Sequence, residues 1–490
     1  MNSLVMKLTP FILSAMLISA LGCGKKESHT KFISGTSRAN VLFIIVDDLN
    51  DWTGFLQGHP QTMTPNMDRL ASQGTVFTNA HTNSPLCGPS RSSLLTGLRP
   101  SSTGIYFHIN DNDLVKLAQR HHPETVLLPD YFEQQGYVSL GVGKIFHNGD
   151  KAQVFDHYGG LADFGPRPAK RFVYDPEHHG KPKGTSTDWG AFPAHDSLTF
   201  DARIADWAIA QLQKEHKDPF FLAAGFMRPH VPWYVPQKWL AKYDSLKIDL
   251  PKYDPKDWSD IPDMAQLITN LPTMPDMDWM LAENRWEDAV KAYLASVHFV
   301  DHHIGRLLDA LKKSPYAHNT FVVLTSDHGY HLGEKGLFQK STLWERSTHV
   351  PMIWYGPGIH AQNIDVPVSL LDIYPTLLDM FSMPQNEPLE GTSLHPLLVG
   401  IQDKNERSAV TTYGPNNHSV IYNGWHYIQY NDKSEELYHL ESDPHESINL
   451  ATDPESTKTL KAFQKHLPQI NLKNSTYSSL HTTPFFTSKE

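Results

Sequence analysis

The sequence predicts an α/β protein with a large, mostly parallel central sheet flanked by helices and a smaller C-terminal α+β subdomain containing antiparallel strands. Three observations predict it. Four apolar runs, VLFIIV (41–46), YVSLGVG (137–143), PFFLAAGF (219–226) and TFVVLTS (320–326), are hydrophobic throughout, as strands buried on both faces must be. Helical patterns fill the intervals between them. After about residue 390 the texture changes to short alternating segments with turn signals. A chain of 490 residues with 40% hydrophobic content can build one large core and an appendage.

In chain order, Lys7 precedes the apolar run LTPFILSAMLISALG, too short to span a bilayer and placed where a secretory leader belongs. The run ends in ALGC, with small residues before Cys23, as at a bacterial lipoprotein cleavage site. Residues 1–22 are therefore expected to be a signal peptide, Cys23 a lipidated N-terminus, and the polar stretch to residue 38 a flexible tether. The protein is then exported, to the periplasm or the cell surface, and touches a membrane only through the anchor at Cys23.

Residues 39–390 form the predicted main domain. Thr64-Pro65 should open a helix, with Thr as N-cap and Pro in the first turn. The stretch SPLCGPSRSSLLTG (84–97) opens another with Cys87 at its start, where helix amides and Arg91 would depress the thiol pKa. On that reading Cys87 is a nucleophile or a free structural thiol. From 286 to 312, Ala289, Val290, Tyr293, Leu294, Val297, Ile304, Leu307, Leu308 and Leu311 make an apolar stripe at helical spacing, which is core. Residues 391–490 are the C-terminal subdomain. SVIY-NG-WHYIQY (419–430) reads there as a hairpin on an Asn-Gly turn, and EELYHLESDPHESINLA as a strand running into a loop.

Functional groups gather just after the carboxyl ends of the four runs, where open α/β sheets place ligands. The first run delivers Asp47 and Asp48, the second Lys144 and His147, the third His230, and the fourth Asp327 and His328. One Asp-Asp pair after a strand more often caps a helix. Aspartates at two strand ends favour a shared cation, since crowded carboxylates otherwise raise one another's pKa. Oxygen-rich ligation selects Ca²⁺ or Mg²⁺ over zinc. Arg91, Lys144, His147, His230 and Lys340 would surround a tetrahedral oxyanion, a sulfate or phosphate ester. The net charge of −11 speaks against a nucleic-acid partner, so positive charge for an anionic substrate has to be local. A thiolate, however, suits a hard cation poorly.

CGPSRSSLLTG (87–97) resembles the type I sulfatase signature C-x-P-S-R followed by L-T-G. VLFIIVDDL, TPNMDRLASQGTVFTNAHT, VGKIFHNG, RPHVPW, SDHGYHLGEKGLFQK and ELYHLESDPHESINLA are also similar to that family, most of all to its iduronate-2-sulfatase group. The resemblance implies an alkaline-phosphatase-like sulfatase fold and oxidation of Cys87 to formylglycine by a maturase before export. It implies one Ca²⁺ held by Asp47, Asp48, Asp327, His328 and an oxygen of modified Cys87. One hydroxyl of the hydrated aldehyde would attack sulfur, with His230 and Lys340 protonating the leaving sugar oxygen. His147 would deprotonate the second hydroxyl to expel sulfate, and Arg91 and Lys144 would hold the formylglycine and the sulfate charge.

The implied substrate is a sulfated oligo- or polysaccharide, a glycosaminoglycan or an algal polysaccharide such as ulvan, with O2 of a uronic acid or pentose favoured by the subgroup. Two other readings compete: a phosphate or phosphonate ester hydrolase of the same superfold, and a glycan-binding protein whose Cys87 is never converted. Trp189, Trp233, Tyr234 and Trp344 are candidates for stacking on sugars or for core. The pairs His121-His122, His178-His179 and His302-His303 read as surface or loop. Loops near 100–125, 150–195 and 230–285 should shape the substrate pocket.

Overall fold

The four apolar runs all fold as strands of one sheet. The computed structural model describes residues 38–148, 152–160, 165–175, 185–385, 388–401, 406–475 and 483–487. The signal-peptide and lipid-anchor expectations, with Cys23, lie outside them, as do His178 and His179. The first strands are β1 (Asn40–Val46), β2 (Thr75–Phe77), β3 (Ala80–His81), β4 (Val138–Gly143), β5 (His157–Tyr158) and β6 (Trp189–Ala191). Then come β7 (Phe220–Phe226), β8 (Trp233–Val235), β9 (Thr320–Ser326), β10 (Met352–Tyr355), β11 (Gln362–Ile364) and β12 (Val368–Ser369). The last four are β13 (Ala409–Thr412), β14 (His418–Tyr422), β15 (Trp425–Gln429) and β16 (Glu435–His439).

The central sheet has eight strands in the order β11-β2-β10-β9-β1-β7-β4-β5. Strand β1 sits in the middle, parallel to both β7 and β9, and only β10 runs against its neighbours β9 and β2. The reason for the unbroken apolar runs is visible in β1. Leu42, Ile44 and Val46 enter one core, and Val41, Phe43 and Ile45 enter another on the opposite face. Helices Pro65–Ala71, Phe200–Leu212 and Trp286–Lys313 cover the first face, and Cys87–Thr96, Leu128–Gln134 and Ile373–Met380 the second. The fold is the three-layer α/β architecture expected, with the mostly parallel sheet at its centre.

The 28-residue helix Trp286–Lys313 matches the predicted stripe, with Glu287 and Asp288 in its first turn and Lys312 and Lys313 in its last, each complementing the helix dipole. Thr64 does not cap its helix. Its hydroxyl accepts from the Gly54 amide and donates to Asp68, while the amides of Asn66 and Met67 donate to Asp301 of the long helix. The Asn423-Gly424 turn has φ of 50° and 76°, the two positive values that a tight hairpin turn between twisted strands needs. It joins β14 to β15 in the antiparallel sheet β13-β14-β15-β16. Trp189, Trp233, Tyr234 and Trp344 are all buried in the fold, which makes them core residues, and His303 is buried as well.

Candidate active site

The ends of β1, β4, β7 and β9 lie side by side, because Val46 is in register with both Phe226 and Ser326, and Gly143 with Gly225. Past those ends the chain turns sharply. A Cβ on Gly225 would lie 2.0 Å from the Lys144 carbonyl oxygen, so only glycine lets the segment after β4 cross so closely. Asp48 adopts φ of 63°, a left-handed conformation that Asp tolerates better than most residues. Its amide donates to Asp327 Oδ1 at 3.2 Å and its carbonyl accepts from the Tyr293 hydroxyl at 2.8 Å.

Three carboxylates and three cations meet there, nearly all out of water. Arg91 is fully buried, with Nε 2.8 Å from Asp327 Oδ2, Nη2 3.4 Å from Asp47 Oδ1, and Nη1 donating to the Lys144 carbonyl. The Lys144 ammonium pairs with Asp47 Oδ2. Lys340 reaches both Asp48 Oδ1 at 2.8 Å and Cys87 Sγ at 2.9 Å. Arg91 and Lys144 are thus committed to bracing the acidic groups. The formal charges of Asp47, Asp48 and Asp327 balance those of Arg91, Lys144 and Lys340, so a divalent cation would leave an excess that an anionic substrate can neutralise.

His328 lies 3.1 Å from Cys87 Sγ through Nε2, and 3.6 Å from both Asp48 Oδ1 and Asp327 Oδ2. Its Nδ1 is 3.0 Å from the Gly329 carbonyl, which fixes the proton there and leaves the Nε2 lone pair facing the cluster. Ligating atoms of Asp47, Asp48, Cys87 and His328 all fall within 4.8 Å of one another. Asp48 Oδ2 is buried and has no hydrogen-bond partner. An orphaned carboxylate oxygen beside donor atoms of Asp47, Cys87 and His328 fits a divalent cation. Asp327 stands behind this group, its two oxygens taken by Arg91 and by the amides of Asp48 and His328.

Burial decides most of the protonation states. It raises the Asp48 carboxyl, which Asp47 and Asp327 raise further against the pull of Lys340 and His328. Asp47 is also penalised by burial, but Lys144, His230, Arg91 and Lys340 together hold it well below the usual carboxylate range. Burial and the nearby lysines hold His147 and His230 well below the ordinary imidazole value. The Cys87 thiol is pushed up to about 12 by burial, despite Lys144 and Lys340. The depressed thiol pKa expected from the sequence is therefore wrong: desolvation outweighs the helix terminus.

A model of the sulfatase family matches residues 39–383, and one of the C-terminal part of N-sulphoglucosamine sulphohydrolase matches residues 333–473. The chain belongs to the sulfatase family. It is 43% identical over 488 residues to a sulfatase of Formosa agariphila, covering 98% of this chain and 96% of that protein. It is 31% identical over 418 residues to the iduronate 2-sulfatase of Homo sapiens, covering 79% and 72% of the two chains. A solved 2-O glycosaminoglycan sulfatase superimposes with a TM-score of 0.69 at 25% identity, over 88% of this chain and 91% of that one. This sulfatase is accordingly a sulfuric ester hydrolase of alkaline-phosphatase-like fold.

All ten site residues expected from the sequence lie around this one set of strand ends. His147 and Lys340 are its partly exposed members. Two neighbours of the sulfatase site were not anticipated. His108 stacks on His147, with ring centroids 3.7 Å apart at 9°, and Asp111 exchanges hydrogen bonds with Asn148. Both come from IYFHINDND (105–113), a loop ending in a 3-10 turn at Asp111–Asp113, within the stretch 100–125 expected to shape the pocket but with no periodicity to single out either residue.

Proposed function

We propose that this sulfatase is exported, is matured to formylglycine at Cys87, holds one Ca²⁺, and removes sulfate esters from a sulfated carbohydrate. The observation that carries the reading is the buried quartet Asp47, Asp48, Cys87 and His328, with Asp48 Oδ2 unpartnered and Lys340 on the sulfur. A protonated thiol is no nucleophile there, whereas an oxygen at the same position would suit both the cation and Lys340. Bound together, the two groups supply a pair of hydroxyls on one carbon and a positive charge against the sulfate oxygens.

The chain's own residues then divide the work. Asp47, Asp48 and His328 would hold the cation with residue 87, and Asp327 would complete the ligation through the second lone pair of Oδ2, the oxygen that accepts from Arg91. Arg91 and Lys144 fix Asp47 and keep it ionised, and Arg91 fixes Asp327 through Oδ2. Burial works against the Lys340 ammonium, but Asp48 and the sulfur position hold it firmly protonated, so it carries a proton for the leaving sugar oxygen. His230, with Nε2 3.9 Å from Asp48 Oδ2, shares that task once the sulfate charge raises its proton affinity. His147, kept neutral, accepts the proton whose loss frees sulfate.

The relatives named iduronate 2-sulfatase and 2-O glycosaminoglycan sulfatase support a 2-O-sulfated uronic acid as the sugar, ahead of a pentose. The apolar leader and the segment ALGC (20–23) ending in Cys23 support export with a lipid anchor. A maturase acting before export is the implied partner, and sulfated oligo- or polysaccharide the substrate. The deciding experiment is peptide mass spectrometry of natively expressed protein, followed by sulfate release from defined sulfated oligosaccharides. Conversion of Cys87 to the aldehyde together with released sulfate is expected. An unmodified thiol in the native host would overturn the hydrolytic reading in favour of glycan binding.

A further inference from the structure

The segment 144–148 that carries His147 is irregular, so backbone hydrogen bonding alone does not orient the imidazole. Its Nδ1 lies 3.4 Å from Asn148 Nδ2, long for a hydrogen bond. The strong constraint comes from the other side. His108 is buried, and its ring lies face to face with that of His147, centroids 3.7 Å apart and planes within 9°. His108 is itself fixed, since its Nδ1 accepts the Gly88 amide at 3.2 Å. A Cβ on Gly88 would stand 2.5 Å from that nitrogen, so the glycine after Cys87 makes room for the ring. Three residues on, the Asp111 amide donates to Asn148 Oδ1 at 3.3 Å and the Asn148 amide to Asp111 Oδ2 at 2.6 Å. The loop thus clasps the His147 segment twice and ties it to the first turn of the helix that presents Cys87.

We propose that His108 is a positioning residue, which holds the His147 ring in the plane from which it can reach a proton at position 87. The proposal rests on the role given to His147 above. It goes beyond it by naming the group that fixes the ring and by linking it to the Gly88 amide. A side chain that merely filled space would stabilise the loop without acting through His147.

The test compares the matured enzyme with His108→Ala, His108→Phe, His147→Ala and the double His108→Ala/His147→Ala variant, with crystal structures of the first two. His108→Ala should lower kcat about 10–100-fold with KM unchanged, as loss of an orienting neighbour does. His108→Phe keeps a ring to stack but no acceptor for Gly88, so it should regain most of kcat while its melting temperature stays low. In the His147→Ala background the His108 change should cost no further activity. In the His108→Ala crystal the His147 ring should leave its plane while Asp47, Asp48 and residue 87 stay in place. The proposal is overturned by an unmoved His147 ring, by wild-type kcat in His108→Ala, or by an equal loss in both backgrounds. Should the wild-type enzyme release no sulfate from any sulfated sugar, the functional reading fails, and the His147 ring position still decides the part played by His108.

Discussion

Cys87 is 1% exposed, and burial pushes its thiol to about 12, so at neutral pH it stays protonated beneath Lys340 and His328. Its chemistry was legible only through the pattern CGPSR. Helix position and Arg91 pointed towards a reactive thiolate, because a sequence shows the neighbouring charges but not the loss of water. The aspartates were easier to read, since Asp47, Asp48 and Asp327 each follow a strand-like run and strand ends converge in a parallel sheet. His108 was illegible, because its partner His147 lies on another loop and no spacing rule joins them. A serine at position 87 tests whether two hydroxyls are needed. With Cys87→Ser, one hydroxyl can take the sulfo group but no second one remains to expel it. The expected outcome is at most one turnover, with intact mass spectrometry showing a single persistent sulfo group on the protein. Sustained turnover by the serine variant would overturn the two-hydroxyl reading.

Secondary-structure elements divide sharply into those a sequence announces and those it does not. Strands β1, β4, β7 and β9 are announced because both faces are buried and every residue is apolar. Strand β10 is short, lies between Pro351 and Gly356, and reverses direction, so nothing local marks it as part of the central sheet. The cap of helix Pro65–Ala71 is hidden for another reason: it comes from Asp301, 235 residues away from Asn66. The Asp301 carboxylate accepts from the amides of Asn66 at 3.1 Å and Met67 at 2.8 Å, and from Asn66 Nδ2 at 2.8 Å. Burial raises its carboxyl to about 6, outweighing those donors, which pull it down. A folded pKa above the unfolded value means the group's stabilisation is complete below about pH 4 and is lost as pH rises through about 6. Asp301→Asn removes this titration. The stability difference between wild type and variant should therefore shrink by up to about 3 kcal/mol from pH 4 to pH 8. Urea unfolding at the two pH values measures it, and a difference that stays constant would show that Asp301 is ionised throughout.

At the scale of the whole molecule, the C-terminal antiparallel sheet helps to build the ground under the active site. Leu86, next to Cys87, shares a core with Tyr106, Phe107 and Trp344 and with Tyr413, Ile428, Tyr430 and Tyr438 of the C-terminal part. The edge strand β13 is also tied in, through the Thr412 amide on the Asn83 carbonyl at 3.0 Å. Calcium should therefore stabilise more than its own ligands. At 100 times Kd a ligand that binds only the folded state adds about 2.7 kcal/mol, so melting should shift upward with calcium and return with a chelator. The same shift should vanish in Asp48→Asn. The shared core makes a stricter prediction through Glu436, which is fully buried and accepts from Trp344 Nε1 at 2.8 Å and from the hydroxyls of Tyr430 and Tyr438. Glu436→Ala strands three buried donors and should cost about 3 kcal/mol or more, whereas Glu436→Gln keeps an acceptor and should cost less. Since Trp344 follows Lys340 by four residues in the chain and is hydrogen-bonded to Glu436 of the sheet, the loss should not stay local. Calorimetry of Glu436→Ala should show the whole transition moving down together, with calcium affinity falling in step. A separate low-temperature transition with calcium affinity intact would instead mean that the C-terminal sheet melts alone and only leans against the site.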